Sequence, residues 1–370
     1  MNRSRSILMA CIAIIIGIIF SFLLIEGALW FFPVNESLRT SAVNDTNPVI
    51  RSDPNRTIIW SKFPDFSMVN TVRINNYGFT NNQDYSAEAS SPLVAVIGDS
   101  FVEALMVPYE ETGFGRMAEY LGEDTRVYSF GRSGAPLSQY LAYAKWVREK
   151  FHPKKMIFVI IGNDFDESLL KYKSSEGLHY FKENGDNLEL VRVDYTPNPL
   201  ARLIAHSKTA MYLLTNIQIQ NQLKRLLAWF SATEADSFVG QTSASTASER
   251  LMDSRKAVDT FFKLLPEAAG LPAEDICFVV DGIRPNLYTP SELAKVRDSY
   301  FSILREYFIH QADKDKYLTI DMQPIFIENF KTQGQKFEFE KDGHWNGHGH
   351  DMFFQAVKKS GFLNNFDSSE

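Results

Sequence analysis

The sequence predicts a three-layer α/β/α sandwich around a central parallel sheet, preceded by one N-terminal transmembrane helix. Three observations point there. Short apolar runs alternate with helical stretches between residues 92 and 362, a long uncharged apolar segment spans residues 7 to 25, and the composition over 370 residues is that of a globular chain.

The strands come first. Leu93–Ile97, Arg126–Phe130, Lys155–Ile161, Ile276–Val280 and Tyr317–Ile320 are short, mostly continuous apolar runs. Such runs suit strands buried on both faces. Helical patterns fill Ser100 to about Leu121 and Leu137 to Lys150, and this alternation makes a parallel sheet with helices on each face. The march breaks between about residues 170 and 250. There, Leu200 to Phe230 predicts one or two helices, apolar on one side, and Ser231 to Ser248 a Ser/Thr/Ala-rich loop. This insertion reads either as a lid over a site or as a helix that enlarges the core.

At the other end, Ile7 to Ile25 carries no charge and approaches the roughly 20 residues a helix needs to cross hydrocarbon. Arg3 and Arg5 precede it, and Glu26 with Phe31-Phe32 closes it. Positive residues stay in the cytoplasm, so the remainder is expected outside, in the periplasm or extracellular space. A cleaved signal peptide is the rival reading, but no small-x-small site follows the run. The expected division is a cytoplasmic tail at 1–6, an anchor at 7–31, and a stalk with an extended lead-in at 32–91. The sandwich domain follows at 92–362 and a tail at 363–370.

A formal charge of -7 leaves no basic footprint, so nucleic acid is not an expected partner. The two cysteines, Cys11 in the apolar N-terminal run and Cys277 in a strand, are not expected to pair.

Four fragments carry chemistry. Gly98-Asp99-Ser100 ends the first strand and opens a helix, at the carboxyl edge where parallel sheets bind ligands. Alone it reads first as a helix cap. Gly131-Arg132-Ser133-Gly134 follows the second strand and Gly162-Asn163-Asp164 the third, on the same edge. A turn N–H and an amide there can donate to a developing oxyanion, although both fragments are also ordinary turns. Asp342-Gly343-His344-Trp345-Asn346-Gly347-His348-Gly349-His350 lies near the C-terminus. A serine needs a base to take its proton and a carboxylate to orient that base, and His344 with Asp342 supplies both. His344 and His348, four apart, are the competing metal-ligand reading. The glycines make a helix through them doubtful and no Glu completes a metalloprotease pattern, so no metal is expected.

Together the four fragments closely resemble the SGNH/GDSL hydrolase superfamily, named for Ser, Gly, Asn and His in four sequence blocks. The resemblance spans most of Pro92 to Phe362, and Arg73 to Phe79 looks like a segment preceding this domain in membrane-anchored members. It implies a flavodoxin-like sandwich and a serine ester hydrolase with Ser100 as nucleophile, His344 as base and Asp342 as its orienting acid. The implied oxyanion donors are the Ser100 and Gly134 N–H groups and the Asn163 side chain, with Gly131 the alternative glycine. No cofactor is implied. The implied substrate is an O-acylated small molecule, glycan or lipid.

One departure stands out. The widespread last block has two residues between Asp and His, whereas one separates Asp342 from His344. This spacing, followed by Trp, is similar to the branch that includes polysaccharide O-acetyltransferases such as the alginate-acetylation proteins. It leaves hydrolysis and acyl transfer both open, with a catalytically silent carbohydrate-binding module as a further alternative. It also leaves Asp321 as a stand-in for Asp342.

Overall fold

The computed structural model describes residues 3–223 and 238–364. The reading of a helix continuing to Phe230, the first part of the Ser/Thr/Ala-rich loop and most of the C-terminal tail lie outside the described residues. By its contacts the chain divides into two compact units.

Along the chain, β1 (Arg56–Lys62) and β2 (Met68–Ile74) pair with each other. Then come β3 (Leu93–Gly98), β4 (Arg126–Gly131) and β5 (Lys155–Ile160). An antiparallel hairpin follows, β6 (His179–Asn184) and β7 (Asn187–Arg192). After it come β8 (Ile276–Val280), β9 (Leu318–Asp321) and a short antiparallel pair, β10 (Glu338–Phe339) and β11 (Asp342–Trp345).

The larger unit, Thr40–Arg56, Arg73–Thr196 and Ala235–Glu370, holds a five-stranded sheet in the order β4-β3-β5-β8-β9. Every neighbouring pair in it is parallel. Counted within the sheet this is order 2-1-3-4-5, the flavodoxin-like arrangement, with its switch point between β3 and β5. Alternate residues divide between the two faces. Ala95, Ile97, Phe158 and Phe278 pack under helices Leu137–Phe151, Ser248–Ala269 and Tyr300–Lys314. Val96, Val159, Cys277 and Val279 pack under helices Gly113–Leu121, Met322–Gln333 and Gly347–Lys359. The β3 and β8 runs, and β5 from Met156 onward, are apolar throughout because both of their faces are covered.

The helical pattern read from Ser100 to Leu121 is broken in the structure. A single turn, Ser100–Glu103, stops at Ala104 in the left-handed region (φ 46°), and a new helix starts at Gly113 under a Thr112 cap. Pro108, which lacks an N–H, stands between them. Between residues 170 and 196 the chain forms the β6–β7 hairpin rather than helix. Residues 73–91 pack onto the sheet's edge: Phe79 and Tyr85 are buried, and Tyr85 stacks on Tyr128 with ring centroids 3.9 Å apart.

The smaller unit is Met1–Arg39, Thr57–Val72 and Pro197–Glu234. Its long helix, Arg3–Leu29, includes the one helix among the described residues that is long and apolar enough to cross a membrane. Short helices Pro199–Ile204 and Lys208–Met211 also belong to it, around a small core of Leu29, Val34 and Met211.

Candidate active site

The site forms where β3 ends. Asp99 caps the following turn, its Oδ1 accepting the Phe101 N–H at 2.9 Å. That leaves Ser100 half-buried, with its Oγ 2.8 Å from His344 Nε2 and 3.1 Å from Asp99 Oδ2. On the far side of the imidazole, Asp342 Oδ1 makes a short contact with Nδ1 and accepts the His344 backbone N–H at 2.9 Å. An ionised carboxylate only accepts, so Nδ1 carries the proton and Nε2 presents a lone pair. In that tautomer Nε2 can accept the Ser100 hydroxyl proton, which also has Asp99 Oδ2 within reach. Ser100, His344 and Asp342 are brought together in that order. Asp321 is elsewhere, capping helix Met322–Gln333 and paired with Arg305.

What fixes the histidine is a buried cluster at the end of β8 that sequence reasoning missed. Asp281 and Arg284 pair through both carboxylate oxygens, Arg284 Nε to Asp281 Oδ1 at 3.1 Å. Arg284 Nη1 donates to the Gly343 carbonyl at 2.8 Å, and Trp345 Nε1 donates to Asp281 Oδ1 at 2.9 Å. Gln241 donates to the same Gly343 carbonyl at 3.0 Å. The strand carrying Asp342 and His344 is thus tied to the sheet on both sides of His344. The only sequence signal was an Asp directly after an apolar strand, on the edge that already held Ser100.

The other two histidines do different work. His348 reaches Asn329 at 3.0 Å and stacks on Phe337. His350 is buried, with its Nδ1 accepting the Gly113 N–H at 3.3 Å. Burial first, then repulsion from His344, Arg116 and Arg284, pushes its pKa down to about 3. Among the described residues no group of His, Cys, Asp and Glu is arranged to hold a metal ion. Asn346 caps helix Gly347–Lys359 through the Gly349 N–H at 2.9 Å and also donates to Glu338 O.

The two turns that follow β4 and β5 lie beside this arrangement in the sheet, since β3 pairs with both. Gly131 pairs with Gly98, and a Cβ on it would stand 2.4 Å from the Glu103 nitrogen, so its role is close packing. Gly134 sits at φ +75°, a conformation few other residues adopt, in a turn shaped by buried Glu103. Glu103 accepts the Ser133 N–H at 2.8 Å and pairs with Arg132 at 3.2 Å.

Asn163 rides on a one-turn helix, Gly162–Asp164, held by buried Asp164. Asp164 accepts the Ile161 N–H at 2.7 Å and the Tyr140 hydroxyl at 2.8 Å. Burial, then the neighbouring Asp99 charge, raises the Asp164 pKa well above the usual carboxylate range. Burial likewise raises that of Asp99. Asn163 Nδ2 donates to Glu167 at 3.3 Å, Glu167 pairs with Lys173, and Lys173 Nζ donates to the Gly134 carbonyl at 2.9 Å. One chain of polar contacts therefore runs from Asn163 to Gly134. No motif in the sequence pointed to Glu167 or Lys173.

Fold and site together define a class: an α/β/α sandwich with a serine–histidine–aspartate constellation on the carboxyl edge of a parallel sheet. No family model matches the chain, and no curated protein matches it. Solved structures similar to it include an alpha/beta hydrolase enzyme from the metagenome of Lake Arreo, at 13% identity and TM-score 0.40, covering 75% of this chain and 99% of that one. A lipolytic protein of the G-D-S-L family from Veillonella parvula is 11% identical at TM-score 0.33, covering 73% of this chain and 97% of that one. A carbohydrate acetylesterase from Sinorhizobium meliloti is 12% identical at TM-score 0.35, covering 73% and 98%.

Proposed function

We propose that this chain is a membrane-anchored serine ester hydrolase of the SGNH/GDSL kind, acting outside the cytoplasm on an O-acyl ester. The observation that carries the reading is His344 Nε2 at 2.8 Å from Ser100 Oγ with Asp342 closed on the opposite nitrogen. Hydrogen-bond reach between nucleophile and base, with the base oriented by a third group, is the geometry that activates a serine.

In this mechanism His344 takes the Ser100 proton as Oγ bonds to the ester carbonyl carbon, and Asp342 stabilises the imidazolium. The oxyanion accepts hydrogen bonds from the Ser100 and Gly134 N–H groups and from the second Nδ2 hydrogen of Asn163. Collapse breaks the ester C–O bond, and the departing alkoxide takes the proton from His344. Water then gives its proton to His344 as it attacks the acyl-enzyme carbonyl, and the Oγ–acyl bond breaks as Ser100 takes that proton back from His344, freeing the acid. Nothing in this cycle needs a cofactor.

The Asp342-Gly343-His344-Trp345 spacing favours a second reading, in which a glycan hydroxyl replaces that water and the chain is an O-acetyltransferase of a cell-envelope polysaccharide. Arg3 and Arg5 before the apolar helix support an N-terminus in the cytoplasm and a catalytic unit beyond the membrane. The test is hydrolysis of a short-chain aryl acetate by the full chain in detergent, followed by product analysis with an added glycan acceptor. Ser100→Ala and His344→Ala are each expected to abolish turnover. Undiminished turnover in either variant would refute the mechanism.

A further inference from the structure

The apolar helix Arg5–Leu29 is long for a simple span. At about 1.5 Å per residue it exceeds the roughly 30 Å of hydrocarbon, so a perpendicular span leaves residues to spare. At its C-terminal end the chain makes contacts that a plain anchor does not need. Glu26 accepts the Ser207 hydroxyl and the Lys208 and Thr209 N–H groups, each at 2.8 Å. Lys208 Nζ sits 5.4 Å from the Trp30 ring centre and 3.0 Å from Glu36. Phe66 packs between Phe32 and Tyr212, at 5.8 and 5.5 Å between ring centres. The segment 198–216, distant in sequence, is therefore pinned to the last turn of the apolar helix.

That pinned segment turns apolar side chains outward. Leu203 and Ile204 lie one helical turn on from Leu200 along helix Pro199–Ile204, and Leu200 and Leu203 are 61% and 68% exposed. Leu214 and Leu223 continue the exposed set, and Trp30 and Phe31 at the end of the apolar helix are exposed as well. A water-facing surface of this composition is unfavourable. Aromatic residues and an amphipathic helix at the end of a span are what the lipid boundary accommodates.

We propose that residues 198–223, with Trp30 to Phe32, form a membrane-interface collar whose Leu200–Leu203–Ile204 face is buried at the headgroup–acyl boundary. Glu26 is its fastening. The inference rests on the anchor reading of the N-terminal helix.

The test uses the full chain in nanodiscs of phosphatidylethanolamine and phosphatidylglycerol. An environment-sensitive thiol dye is placed at Leu203→Cys, and separately at Leu200→Cys, in a Cys11→Ser background; Cys277 is buried and does not compete. Phosphatidylcholine spin-labelled high on its acyl chain is expected to quench both probes by about twofold or more, with iodide far less effective. Quenching by iodide and not by lipid would overturn the collar. So would shielding from both quenchers, which means that a second copy or another protein covers the face. Native Cys11, labelled in the otherwise unmodified chain, separates the two readings. If a deep spin label quenches Cys11 while Leu203→Cys stays wet, the anchor stands and the collar falls. If Cys11 is also wet, the anchor itself falls.

Discussion

The Arg284 guanidinium donates to the Gly343 carbonyl at 2.8 Å, and Gly343 is the one residue separating Asp342 from His344. A spacing this short leaves little chain to adjust, so the direction of both side chains follows from how that carbonyl is held. Arg284 is itself held by buried Asp281.

Arg284→Met is therefore expected to act twice. It strands a buried carboxylate, costing about 3–5 kcal/mol of stability. It also frees the strand that carries His344, so the folded fraction is expected to lose about tenfold or more in kcat with KM little changed. Thermal unfolding and steady-state ester hydrolysis, measured on the same preparation, check both effects. Wild-type kcat in the folded variant would separate the cluster from the chemistry.

Asp342→Asn preserves shape but reverses what Nδ1 meets, and an amide can hold the ring in the wrong tautomer. A loss of about a thousandfold or more in kcat is expected, with KM nearly unchanged. Asp321→Asn is the comparison. Its carboxylate faces Arg305 and a helix cap, so stability is expected to fall while kcat per folded molecule is kept.

Asn163 and Gly134 are joined through Glu167 and Lys173. Asn163→Ala is expected to cost about a hundredfold in kcat, the usual worth of one oxyanion donor. Glu167→Gln weakens the link to Lys173 without removing the amide, and a smaller loss of about tenfold is expected. Equal losses in the two variants would mean that Glu167 does more than position its neighbour.

How much of this was legible in the sequence depends on what kind of force leaves a linear trace. Leu93–Gly98 and Ile276–Val280 were read almost to the residue because burial on both faces demands an uninterrupted apolar run. The break after Glu103 was overlooked although Pro108 was visible, because the residues on either side keep a helical apolar period. The β6–β7 hairpin turns at Asn184-Gly185-Asp186-Asn187, and its polar strands carry too little alternation to stand out. Ser100, Asp342 and His344 come from short motifs. Arg284 reaches Gly343 and Lys173 reaches Gly134 across long stretches of sequence, which no local pattern encodes, while Glu167, only four residues from Asn163 and six from Lys173, sits in no motif that marks it.

The buried His350 gives a pH dependence of known sign. Its folded pKa of about 3 lies below the ordinary 6.5. Above that ordinary value neither state binds the proton, and the stabilisation is fully present. As pH falls from there toward 3, the unfolded chain takes up a proton that the folded chain refuses, and stability declines by up to about 1.4 kcal/mol per unit. His350→Gln removes this proton, so its stability is expected to fall less steeply with acidification than that of wild type. Unfolding midpoints measured in detergent across this window check it, and parallel slopes would contradict it.

The central claim is that Ser100 is an activated nucleophile, and covalent capture tests it most directly. The full chain is incubated with a fluorophosphonate, digested, and analysed by mass spectrometry. One phosphonylated serine, Ser100, is expected, with labelling lost in Ser100→Ala and strongly slowed in His344→Ala. A folded chain that stays unlabelled, or that is labelled equally well without His344, would contradict it.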